Sequence, residues 1–123
     1  MANINLDKSS RLDIKCRKGD TFKVTLTFDA DQSTARPVGG WQMEVRETAD
    51  DNGGSPIIAT SSVSFVYNDD GTELTITIAA SIMNLVSGQY VYDLQHKSTD
   101  ATPIVETFLH GVFTVIEDIT LTT

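Results

Sequence analysis

Gly88-Gln89-Tyr90-Val91-Tyr92-Asp93-Leu94 is the stretch on which the fold of this 123-residue chain turns. A glycine releases a segment in which Tyr90, Tyr92 and Leu94 point one way while Gln89, Val91 and Asp93 point the other. That period-two alternation is the pattern of a strand with one buried face. Just upstream, Ala80-Ser81-Ile82-Met83-Asn84-Leu85 reads as one short helical turn near 80–86 that closes a preceding strand. An apolar strand, a one-turn crossover, a glycine and a tyrosine strand are what one sheet needs to pass the chain to a facing sheet.

Working outward, the same alternation recurs along the chain. Leu12, Ile14 and Cys16 alternate with charged residues up to a Lys18-Gly19-Asp20 turn. Phe22, Val24, Leu26 and Phe28 then alternate with Lys23, Thr25, Thr27 and Asp29, the cleanest strand signal in the sequence. A polar loop over 29–40 delivers Trp41, Met43 and Val45, alternating with Gln42, Glu44 and Arg46. Residues 48–56 are turn-forming throughout, and short strand pieces follow at 57–60 and 63–67. Asn68-Asp69-Asp70-Gly71 predicts a hairpin, because Asp-Gly readily takes the positive φ that such turns require. Leu74, Ile76 and Ile78 supply the next buried face. After the tyrosine strand and a loop over 97–103, the last strand runs from about Ile104 to Ile116. Val105, Leu109, Phe113 and Val115 fall on one of its faces and Phe108, Val112 and Ile116 on the other, which predicts a central strand, with Gly111 marking a bend or bulge.

The turns recur at roughly the 8–12-residue spacing of a sandwich. The reading is therefore all-β: an Ig-like, two-sheet antiparallel β-sandwich of seven to eight strands, with a small barrel as the second choice. The domain spans 11–117, between an N-terminal arm at 1–10 and a C-terminal tail at 118–123. A chain of this length buries about two-thirds of its unfolded surface without a metal or disulfide staple.

Net charge is −8, with nine Lys and Arg against 17 Asp and Glu. Nucleic acid is excluded as a main partner, because a phosphate-binding surface needs clustered cations. An acidic surface suits docking onto a basic protein instead. The single cysteine, Cys16, forms no intrachain disulfide, and the first residues lack the apolar core of a signal peptide. No apolar run approaches the ~20 residues of a membrane helix, so the expectation is synthesis in a reducing cytoplasm without membrane association.

The constellations that carry chemistry give no catalytic, cofactor-binding or metal site. His96, His110 and Cys16 are the whole soft-ligand inventory and none has metal-ligand spacing, so the two histidines read as surface or sheet residues and Cys16 as a packing residue. The acidic turns at Asp29-x-Asp31, 50–53 and 68–71 lack the full calcium-loop pattern, and turn chemistry explains them. No nucleophile elbow or phosphate-cradling glycine loop is present, and Cys16 sits at strand spacing among apolar neighbours. No sequence feature marks out a carboxylate pair. Trp41, Tyr90 and Tyr92 are the residues a ligand binder would use, but a Trp early in a strand and a Tyr late in the chain are common core anchors of sandwiches. The expectation is a non-enzymatic protein with no cofactor.

Three segments together resemble small Ig-like structural virion proteins of tailed bacteriophages, of head-decoration or baseplate and fibre-adaptor type. They are Leu12-Asp13-Ile14-x-Cys16-Arg17-x-Gly19-Asp20-Thr21-Phe22, Gly40-Trp41-x-Met43-x-Val45-Arg46, and Ser87-Gly88-x-Tyr90-Val91-Tyr92-Asp93-Leu94 with the later Gly111-x-Phe113-x-Val115. The resemblance implies a virion structural protein that binds the capsid in multiple copies or links fibres to the particle. Its partners would be a major capsid protein or tail and fibre proteins, in an oligomeric assembly made in the host bacterial cytoplasm. The chain stops at Thr123 without a coiled-coil shaft, which shifts the expectation from fibre toward decoration protein. The alternative is a carbohydrate- or receptor-binding sandwich acting through loops 29–40, 48–56 and 97–103 at one end.

Overall fold

A computed structural model describes residues 10–48 and 56–117. Eight strands run β1 Ser10–Arg11, β2 Ile14–Arg17, β3 Phe22–Thr27, β4 Trp41–Arg46, β5 Val63–Tyr67, β6 Glu73–Ile78, β7 Gly88–Lys97 and β8 Val105–Ile116. They form two sheets. One has the order β1-β8-β7-β4, with β2 also on β8, and the other the order β3-β6-β5. The fold is an all-β sandwich with the Ig-like arrangement. Of the calls at the ends, Ser10 belongs to β1, and the rest of the arm and tail lie outside the described residues.

The two inner faces follow the alternation in the sequence. Trp41, Met43 and Val45 of β4, Leu74, Ile76 and Ile78 of β6, and Tyr90, Tyr92, Leu94 and His96 of β7 are buried, with Phe113 and Val115 of β8 closing the layer. Two further features belong to Ig sandwiches. Trp41 sits at the start of the strand that pairs with β7, and the Tyr90 hydroxyl donates to the Val86 carbonyl at 2.6 Å, four residues upstream, as in a tyrosine corner. That bond fixes how the chain enters β7 after leaving the other sheet. The helical turn expected near 80–86 is a single hydrogen-bonded turn, with the Met83 amide donating to the Ala79 carbonyl at 3.1 Å. Its Met83 side chain is fully buried and plugs the space between the sheets.

Pairing is antiparallel except at one edge, where β1 and β2 run parallel to β8. The first strand expected from sequence is broken at Leu12 and Asp13, so that two short pieces lie successively along the same neighbour. Gly111 explains the closeness of that crossing. A Cβ there would stand 2.5 Å from the Leu12 carbonyl oxygen, so Gly111 makes room for a passing chain and is not the bulge itself.

The bulge lies elsewhere. Leu94 pairs with Leu109 but Gln95 pairs with Thr107, which leaves Phe108 as the extra residue. The slip lets consecutive residues Phe108 and Leu109 both pack against the core, although strict alternation puts them on opposite faces. Phe108 reaches the Trp41 ring at 5.0 Å between centroids. At the same end of the sandwich the Trp41 indole N–H donates to the Tyr67 hydroxyl at 2.9 Å, and that hydroxyl donates to the Arg36 carbonyl at 2.7 Å. Among the described residues no helix is long and apolar enough to cross a membrane.

Candidate functional site

One face of the five-stranded sheet packs inward; the other carries Glu44, Arg46, Asp93 and His110. On that outer face the strand register builds a row. Glu44 of β4 pairs with Asp93 of β7, Asp93 with His110 of β8, and His110 with Arg11 of β1. Neighbours in such a row have Cβ atoms about 5 Å apart, close enough for their charges to interact directly. The adjoining positions on β7 and β8 are Val91 and Val112, which pair with each other and give the face an apolar floor. Together with Arg46, Tyr92 and Gly111 these residues line a cleft of about 440 Å³. A second hollow of about 350 Å³ adjoins it, shares Glu44 and Asp93, and extends to Gln42, Thr60 and Gln95.

The charges are unevenly satisfied. Arg46 lies 3.0 Å from the Glu44 carboxylate, and Arg11 lies 3.2 Å from that of Asp13. Asp13 also accepts the Val112 amide at 3.0 Å. That backbone bond, then the Arg11 guanidinium, holds its carboxyl below the ordinary value despite some desolvation. Asp93 is different. Its hydrogen-bond partner among the described residues is the Gln95 amide at 3.2 Å, and no ion pair neutralises it there. Burial pushes its carboxyl up, and the like charge of Glu44 adds to the rise; the Gln95 bond, Arg46 and His110 offset part of it. Asp93 is thus a half-buried carboxylate beside a second carboxylate in an open cleft.

The sequence-based candidates are distributed as follows. Trp41, Tyr90 and Tyr92 are core residues, 2%, 9% and 5% exposed, as the packing reading expects. His96 is not at the surface. It is 2% exposed, its Nε2 lies 3.0 Å from the Pro37 carbonyl oxygen, and its ring stands edge-on to Trp41. Cys16 is half-buried with its Sγ 3.6 Å from the Thr114 carbonyl oxygen, and desolvation raises its thiol. Asp31 accepts the Ser33 amide and hydroxyl at 2.8 and 2.6 Å, and Asn68 accepts the Thr72 and Glu73 amides, so Asp31 and Asn68 are engaged in turn geometry. Residues 50–53 lie outside the described residues. Among the described residues no three His, Cys, Asp or Glu converge as metal ligands.

The three-loop site is corrected by the strand directions. Trp41 pairs with His96 near the end of β7, whereas Arg46 pairs with Val91 near its start. The loop at 29–40 therefore shares an end with 97–103 and with the 68–72 turn, where the Gln32 amide donates to the Gly71 carbonyl. The chain leaves β4 toward 48 at the opposite end. What sequence reading missed is the Glu44–Asp93–His110–Arg11 row. Each residue occupies an outward position in its own strand, but only cross-strand register brings them together.

No family model matches the chain, and no curated protein matches it. Among solved structures the chain is similar to the crystal structure of CopC from Methylosinus trichosporium OB3b. Identity is 17%, the TM-score is 0.44, and the match covers 93% of this chain and 89% of that one. The expectation of a phage virion structural protein is corrected here: the solved structure named above is a CopC, and neither a family model nor a curated protein attaches the chain to virion components.

Proposed function

We propose that this chain is a non-enzymatic interaction domain that engages a protein partner through the outer face of its five-stranded sheet. The observation that carries the reading is the ionisable row from Glu44 to Arg11, lining a cleft on a face that no second layer covers among the described residues. Charged groups set across an exposed face give orientation and partner choice, while Val91 and Val112 supply apolar contact at its centre. The groups that would otherwise suggest chemistry are engaged in packing: His96 against Trp41, and Cys16 against β8. A net charge of −8 favours a basic partner and opposes nucleic acid.

Photo-cross-linking in the producing cell tests this. A photoreactive residue at exposed Gln89, on the proposed face, is expected to give a discrete cross-linked protein, while one at Lys23 on the opposite sheet gives none. Equal labelling from both positions, or none from Gln89, overturns the reading.

A further inference from the structure

The row has an electrical direction. Glu44 and Asp93 lie toward one end of the row with Arg46 beside Glu44, Arg11 marks the other, and the paired valines lie alongside. The two guanidinium groups each already face a carboxylate, Arg46 on Glu44 and Arg11 on Asp13. Three carboxylates, Asp13, Glu44 and Asp93, thus stand against two arginines, and the one without an ion pair among the described residues is Asp93. It is half-buried, whereas Asp13 is exposed. An incoming anion would meet Glu44 and Asp93 at close range, whereas an incoming cation would neutralise a carboxylate that the fold leaves unpaired.

The shape adds a second requirement. The floor beside Asp93 is formed by Val91 and Val112, both half-buried. A small bare cation uses none of that apolar surface. A long side chain with an apolar stem and a charged tip uses both parts, since lysine and arginine lay their methylenes on apolar surface while the head stays at a polar group. We propose that the cleft receives a lysine or arginine side chain of a partner protein, its stem over Val91 and Val112 and its cation between Glu44 and Asp93. This deepens the docking reading above and rests on it for the source of the side chain.

The linkage is directional. The groups facing Asp93 are Glu44 and Arg46 from β4, Gln95 on its own strand and His110 from β8, with Arg11 and Asp13 beyond on the β1 side. A bound cation favours ionised Asp93, so occupancy moves its titration to lower pH, and acid weakens binding as Asp93 takes up a proton.

The test is an NMR titration of the whole chain with Nα-acetyl-lysine methylamide, using the norleucine counterpart as neutral control. Saturable shifts are expected at Glu44, Asp93 and His110, with the Asp93 carboxyl titration moving down in pH. Asp93→Asn is expected to weaken binding about tenfold. Equal shifts from the norleucine compound, unchanged affinity in Asp93→Asn, or no saturable shift overturns the proposal. Cross-linking from Gln89 in the Asp93→Asn chain separates the two readings. A partner still captured at the wild-type level leaves the docking face standing and removes the cation from it. Capture lost only in Asp93→Asn supports both.

Discussion

The Tyr92 hydroxyl donates a hydrogen bond to the main-chain carbonyl of Leu12, 80 residues earlier in the chain. Leu12 lies where the chain breaks between β1 and β2, and Tyr92 stands on β7 with its ring edge-on to Phe113. A single phenol therefore ties the N-terminal edge of one sheet to its centre, across β8. The loss of its proton is disfavoured by burial first and by the nearby Asp13 charge second, so its pKa is pushed up to about 12.

Tyr92→Phe is expected to cost about 1–2 kcal/mol, because it removes one hydrogen bond and leaves the Leu12 carbonyl without that donor. Urea unfolding measures it. The native phenol has the higher pKa, so the native state binds the proton more tightly than the unfolded chain. The stability this confers is complete below about pH 10 and declines as pH rises toward 12. Tyr92→Phe should flatten that alkaline decline, and an unchanged slope would remove Tyr92 from it.

Asp93→Asn is expected to stabilise the chain at neutral pH. The folded carboxyl is shifted up by burial and by Glu44, so its contribution is fully present below the ordinary value of 3.8 and is lost as pH rises through the folded value. At pH 7 the ionised group is a burden on the fold that asparagine does not carry. Denaturant midpoints at pH 7 and pH 3 decide this, with a gain expected at the first that vanishes at the second.

Trp41→Ala is expected to cost about 3–5 kcal/mol, as a large ring leaves the contact with Phe108, Phe28 and His96. Trp41→Phe separates packing from polarity. It keeps a ring but removes the indole donor to Tyr67, for a smaller loss that includes about 1 kcal/mol from that bond. Thermal melting of the two variants provides the comparison, and equal losses would assign the whole effect to the hydrogen bond.

Much of the fold was legible because period-two alternation is a local property. Phe22 to Phe28, Trp41 to Arg46 and Gly88 to Leu94 state their buried faces outright, and Asn68 to Gly71 states its turn, with Gly71 at φ +69°. Alternation alone puts Phe108 on the wrong side because a one-residue slip at Leu94 and Gln95 reverses parity for everything before it, and a bulge leaves no period of its own. Gly111 was visible as an irregularity, but its cause is the approach of Leu12, about a hundred residues away in sequence. The candidate site was illegible for the same reason. Glu44, Asp93, His110 and Arg11 are unremarkable polar positions until four strands are set in register.

Gly111→Ala is expected to cost about 1–3 kcal/mol, since the new methyl meets the Leu12 carbonyl at 2.5 Å and the Asp13 carboxylate at 2.8 Å. Amide hydrogen exchange should localise the damage. Val112, whose N–H donates to Asp13, should lose protection before Leu94 or Ile76 do.

The Thr60 hydroxyl accepts from the Met43 amide and donates to the Met43 carbonyl, while Ile57 and Ile58 bond to Val45 on the same strand. β4 borders its sheet, and a bordering strand with vacant amides is where one molecule can template the next into a fibre. A hydroxyl and a two-residue crossing occupy those amides without adding another full strand. Thr60→Val removes the hydroxyl at nearly constant volume, so its consequence belongs to the shelf life of concentrated solutions more than to the melting point. Seeded polymerisation should then spread along β4.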